Sequence, residues 1–98
     1  MQMIKQMDGT ALEIALEGRL DTTTAPELEQ ALKDSLDDAN ELTLNFEKLD
    51  YISSAGLRVL LAAHKTMSKK GGMKVTNVND IVSEVFDITG FSDILTIV

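Results

Sequence analysis

The sequence predicts an α/β fold, a mixed β-sheet faced by helices in the order β-β-α-β-α-β-α-β, and three observations predict it. Residues 10 to 17 alternate apolar and polar with the period of a strand. The stretch from Leu28 to Ala39 repeats its apolar residues with helical period. Each later helical stretch is bounded on both sides by a short apolar strand. Strand–helix–strand units take right-handed crossovers, so part of the sheet is expected to be parallel. At 98 residues the chain makes a single domain, 1–98, because a second core would not fit.

In chain order, residues 2 to 7 read as a strand ended by the turn pair Asp8-Gly9. In the next strand Leu12, Ile14 and Leu16 alternate with Ala11, Glu13, Ala15 and Glu17, so the two form a hairpin. Gly18-Arg19-Leu20-Asp21 is expected as a loop. Thr24 and Glu27 have the spacing of a capping box, with Pro26 early in the first turn, where its missing N–H does no harm. Leu28, Ala31, Leu32, Ser35, Leu36 and Ala39 then form one helical face, opposite Glu29, Lys33 and Asp37.

Leu42, Leu44 and Phe46 alternate with Thr43, Asn45 and Glu47 and predict a third strand ending near Phe46, followed by a short loop. A second helix begins at the serine pair Ser53-Ser54 and runs to about Lys69. Gly71-Gly72 ends it, since glycine accepts the left-handed conformation. A strand over 73–78, a helix capped by Asn79 or Asp80 and closed by Gly90, and a last strand over 94–98 complete the chain.

Composition excludes several functions. The apolar fraction is 44% but the aromatic fraction only 4%, so the core is built from Leu, Ile, Val, Ala and Met. A net charge of -7 repels phosphates, which argues against a nucleic-acid partner and against an anionic membrane surface. It would favour a partner with a basic face. Lys65, Lys69, Lys70 and Lys74 cluster where they complement a helix C-terminus. There is no cysteine and no run of apolar residues long enough to span a membrane, and Met1 to Asp8 is not expected to be a signal peptide, so the cytoplasm is the expected compartment. No dimerisation face is legible, and a monomer is the default expectation.

Catalytic readings find no support. His64 is the only histidine, and it falls on a helix with many apolar neighbours. No second histidine or cysteine exists to complete a zinc site, so neither a metal nor another cofactor is expected. Ser53 and Ser54 lack the flanking glycines of a nucleophile elbow, and no glycine-rich run ends in Lys-Ser or Lys-Thr as a phosphate loop would. The chain is not expected to be an enzyme.

Ser53-Ser54 is the informative feature because it stands where a helix begins. By local chemistry one serine is an N-cap, its hydroxyl accepting from a free backbone N–H. A phosphoryl group at this place would also meet unpaired N–H groups and the positive end of the helix dipole, so the site suits a switch. Ala55 and Gly56 leave the helix start with little bulk. That suits either the close approach of a partner or tight packing of the helix on the sheet.

The segment Asp50-Tyr51-Ile52-Ser53-Ser54-Ala55-Gly56-Leu57-Arg58-Val59-Leu60-Leu61 resembles the signature of the STAS family, in particular the bacterial anti-sigma factor antagonists. Gly18-Arg19-Leu20-Asp21 is similar to the family's loop after the second strand, and the element order agrees over nearly the whole chain. The resemblance implies a single STAS domain whose unphosphorylated form binds an anti-sigma factor that is also a serine kinase, freeing the sigma factor. It implies phosphorylation at the serine two residues before the glycine, which is Ser54, and reversal by a metal-dependent serine phosphatase. Asp21, Ser53, Ser54, Ala55 and Gly56 are the implied partner-binding positions. Ser53 stands where many members carry an acidic residue, which leaves it as a possible second acceptor. The alternative function is a STAS-type interaction module of a transport or sensory assembly.

Overall fold

The computed structural model describes Met1–Val98. The elements are β1 (Gln2–Asp8), β2 (Ala11–Leu20), α1 (Ala25–Ser35), β3 (Glu41–Ile52), α2 (Ser54–Met67), β4 (Met73–Thr76), α3 (Asp80–Thr89) and β5 (Thr96–Ile97), with 3-10 turns at Leu36–Asp38 and Phe91–Asp93. The expected order of strands and helices is found. One sheet in the order β1-β2-β3-β4-β5 holds all five strands; β1 runs antiparallel to β2 and every other pair is parallel. The connections dictate this. A tight turn with Gly9 at φ 63° folds β2 back on β1, whereas each later link carries a helix and returns the chain in the same direction.

The alternation assigns the faces. Leu12, Ile14 and Leu16 of β2, Leu42, Leu44 and Phe46 of β3, and Met73 and Val75 of β4 are buried, and the register stacks them on one side of the sheet. α1 meets that side through Leu28 and Leu32, α2 through Leu57, Leu60, Ala63 and Met67, and α3 through Val82 and Phe86, all in one continuous cluster. The rings of Phe46 and Phe86, with centroids 6.4 Å apart, join α3 to the sheet. The other face, with Glu13, Ala15, Thr43, Asn45, Lys74 and Thr76, carries no helix.

Several expectations are corrected. Gly18, Arg19 and Leu20 are not a loop but the end of β2, and β3 does not stop near Phe46 but continues to Ile52, directly before Ser53. The cause is irregular pairing. From Ala15↔Asn45 to Glu17↔Lys48, and again from Gly18↔Leu49 to Arg19↔Tyr51, β3 carries one residue more than β2. The Asn45 side chain accepts from the Glu47 N–H at 3.0 Å, supporting the first irregularity. The first extra residue turns Leu49 to the core, and the second brings Ile52 back to the face of Leu42, Leu44 and Phe46.

The capping box at Thr24 does not form. Thr24 is the N-cap of α1 but its hydroxyl accepts from the Asp21 N–H and donates to the Arg19 carbonyl, both at 2.8 Å. α1 ends at Ser35, and a 3-10 turn carries the apolar face on to Ala39. α2 ends at Met67; Gly72, at φ 96°, supplies the left-handed residue expected from the glycine pair. Lys70 reaches across to the carbonyls of Leu36 and Ala39, so it caps the end of a different helix from the one it follows. β4 stops at Thr76 and β5 is only Thr96–Ile97. Asn79, rather than Asp80, caps α3 by accepting from the Val82 N–H at 2.8 Å, and Gly90 closes it at φ 81°.

Candidate functional site

Parallel strands deliver their carboxyl ends to one rim of the sheet, where side chains after neighbouring strands meet. Leu20 and Ile52, the last residues of β2 and β3, are register partners, so Asp21 and Ser53 follow side by side. The Ser53 N–H donates to the Leu20 carbonyl at 2.9 Å, which extends the pairing one residue beyond the strand and aims α2 away from the rim. The structure thus brings together Asp21, Ser53, Ser54 and Ala55.

The two serines differ. Ser53 is the N-cap of α2 with extended backbone (φ -102°, ψ 175°), yet its hydroxyl caps nothing: Ser53 Oγ is enclosed and has no hydrogen-bond partner. Ser54 is the first residue of the helix and is exposed. The first intrahelical bond is from the Leu57 N–H to the Ser53 carbonyl, 3.0 Å, which leaves the N–H groups of Ser54, Ala55 and Gly56 ahead of the helical ladder. The first turn of α2 contains no acidic residue to occupy them. Oxygen anions on Ser54 would therefore meet a positive helix end.

Gly56 is buried, and its reason is inside the protein. A Cβ there would stand 2.7 Å from Leu20 Cγ and 2.9 Å from Ile52 Cγ1. Packing on the ends of β2 and β3 accounts for this glycine, and Ala55 also packs against the core. Their small size sets how closely α2 lies on the rim.

The loop after β2 is held by Asp21. Its Oδ1 accepts from the Thr23 hydroxyl at 2.8 Å, the Thr23 N–H at 3.0 Å and the Thr24 N–H at 3.2 Å. The Thr23 hydroxyl is the largest influence on the carboxyl, which lies below its ordinary pKa; partial desolvation opposes this and the backbone N–H groups add to it. Arg19 pairs loosely with Asp21 at 3.8 Å and places its guanidinium 4.6 Å from the Tyr51 ring centre. Sequence reasoning passed over this Arg19–Tyr51 pair because the register that makes them neighbours depends on the extra residues in β3.

His64 lies ten positions after Ser54 on α2, or about 15 Å along the axis. It borders a cleft with Ser68, Gly71, Met73 and Lys74 at the opposite end of the sheet. No histidine is thus available to activate either serine. No three His, Asp or Glu side chains converge as metal ligands would, and no helix is long and apolar enough to cross a membrane.

Comparisons with known proteins bear on the family and the fold. The family model described as STAS domain matches residues 2–98. The chain is 30% identical over 87 residues to the anti-sigma-B factor antagonist of Bacillus subtilis (strain 168), covering 88% of this chain and 80% of that protein. Among solved structures, an anti-sigma factor antagonist from Mycobacterium paratuberculosis superposes with a TM-score of 0.89 at 22% identity, over 98% of this chain and 83% of that one. The Bacillus cell fate determinant SpoIIAA in its phosphorylated form superposes with a TM-score of 0.77 at 18% identity, over 99% of this chain and 91% of that one. At these identities the two superpositions show the fold.

Proposed function

The chain belongs to the STAS domain family, and from that premise we propose that it is an anti-sigma factor antagonist switched by phosphorylation at Ser54. In its unphosphorylated form it binds an anti-sigma factor through the rim of Asp21, Ser53, Ser54 and Ala55, and the sigma factor is released. The anti-sigma factor is also an ATP-dependent serine kinase. It transfers the γ-phosphoryl group of ATP to Ser54 Oγ, the bond to the β-phosphate breaks to leave ADP, the hydroxyl proton passes to solvent, and the complex separates. A metal-dependent serine phosphatase hydrolyses the ester and restores the binding form. The protein works in the cytoplasm as a monomer and is a substrate in this cycle, not an enzyme.

The observation that carries this reading is the contrast between the serines. Ser54 offers an exposed hydroxyl on the first turn of α2, while Ser53 Oγ is enclosed. A kinase must reach the oxygen it phosphorylates, so Ser54 is the acceptor and Ser53 is its packed neighbour. The phosphate adds about -1.5 to -2 charges beside free N–H groups, so the domain keeps its fold while its docking surface becomes more negative locally. The name of the Bacillus subtilis relative supports the general function.

The test is intact mass after incubation with the cognate kinase and ATP. One phosphate is expected on the parent protein and none on Ser54→Ala. Equal phosphorylation of Ser54→Ala would show the acceptor to be elsewhere. Recovery of transporter subunits and no kinase in a pull-down would favour a transport module instead.

A further inference from the structure

We propose that Arg58 is the internal counter-ion of the phosphate on Ser54, so that phosphorylation both adds an anion to the docking rim and withdraws a cation from it. This rests on the reading of Ser54 as the acceptor. Ser54 and Arg58 are four residues apart on α2, where side chains become neighbours on one helix face. Both are exposed, and that face continues through Ala62 and Lys65 without a carboxylate; α2 contains no Asp or Glu at all. In a chain of net charge -7, the charged side chains on this face are the cations Arg58 and Lys65.

The other charges near the rim are already engaged or are negative. Arg19 lies over the Tyr51 ring and pairs loosely with Asp21, and Asp21 accepts from Thr23 and Thr24. Asp50 and Tyr51, at the end of β3, offer no cation. The ion pairs of the molecule are Arg19–Asp21 and Lys33–Glu29, and Arg58 takes part in neither. A guanidinium matches the two-oxygen edge of a phosphate, so Arg58 can fold back over one helical turn and donate to it. The free N–H groups of the first turn hold the phosphate from below, and Arg58 holds it from the side. A partner that contacts Arg58 in the unphosphorylated state loses that contact when the arginine turns to the phosphate.

The test places phosphoserine at position 54 of the full chain by genetic-code expansion, so that it needs no kinase. The second ionisation of the phosphate is followed by ³¹P NMR in the parent, Arg58→Gln and Lys65→Gln proteins. Pairing with Arg58 favours the dianion, so its loss is expected to raise the midpoint by at least about 0.3 unit, with Lys65→Gln nearly silent. The shift should shrink at high salt. An Arg58→Gln midpoint equal to the parent's, or an equal shift from Lys65→Gln, overturns the proposal. Failure of the kinase to modify Ser54 is read separately, by mass, and bears on the acceptor assignment instead.

Discussion

The backbone N–H of Ser53 donates to the carbonyl of Leu20 at 2.9 Å, tying the residue before α2 to the last residue of β2. This bond makes one junction of two connections that are far apart in sequence. The loop that carries Asp21 and the helix that carries Ser54 are coupled through it. Any change in how α2 sits on Leu20 and Ile52 is therefore transmitted to the docking rim.

Gly56→Ala tests that junction. The added methyl group would lie 2.7 Å from Leu20 Cγ and 2.9 Å from Ile52 Cγ1, and both side chains are fully buried. Overpacking of this kind costs about 1–3 kcal/mol, against a helix-propensity gain of about 1 kcal/mol. A net loss of up to about 2 kcal/mol is expected in urea unfolding, together with weaker partner binding as α2 tilts outward. A gain in stability would show that the rim has room the packing does not suggest.

Asn79→Ala removes two bonds from the neighbouring connection. The side-chain oxygen accepts from the Val82 N–H, and the amide nitrogen donates to the Leu49 carbonyl, each at 2.8 Å. Loss of the cap alone costs about 1 kcal/mol, and the orphaned carbonyl of the irregular segment of β3 adds to it. A fall in stability of about 1–3 kcal/mol is expected, with faster amide exchange in the first turn of α3. Asn79→Asp keeps the cap and should recover part of the loss.

These contacts also explain how far the sequence could be read. Regular periods were legible: the alternation of Leu12, Ile14 and Leu16, the stripe of Leu28 and Leu32, and the closing Gly90 each led to the right element. The rim was not, because period 2 fails where β3 has an extra residue. Glu47 and Lys48 are both exposed, so a strand that continues to Ile52 looks as if it ends at Phe46. Capping was misread at Thr24 and at Ser53 for a related reason. Local spacing identifies hydroxyls able to cap, but the Thr24 hydroxyl is drawn to Asp21 and Arg19, and that of Ser53 is turned inward. The serine segment itself was legible through its resemblance to a family; the distinction between an exposed and an enclosed serine required the fold.

The Asp21 carboxyl should titrate below 3.8, its ordinary value, because the Thr23 hydroxyl donates to the charged form, aided by the N–H groups of Thr23 and Thr24. A depressed value in the folded state means that the ionised carboxylate favours folding. The contribution is present above the unfolded value and is lost as pH falls through the lower, folded one. The carboxyl ¹³C signal of Asp21 should show a midpoint below 3.8, and Thr23→Val should move it upward. A parent midpoint at or above that value would remove the role assigned to the loop.

Ser54→Asp separates the effect of charge on the fold from its effect on the partner. The residue is exposed at the first position of α2, and the helix has no other acidic group in its first turn. A carboxylate there meets the positive helix end and should leave stability unchanged or raise it by about 0.3–1 kcal/mol in urea unfolding at low salt. Partner affinity is expected to move the other way, falling tenfold or more, or about 1.4 kcal/mol. Ser54→Asn, neutral and nearly the same size, is the control. If the charge acts on the partner, Asn binds close to the parent while Asp does not. If Asn and Asp weaken binding equally, bulk at the rim is what the partner rejects, and the electrostatic account of the switch fails.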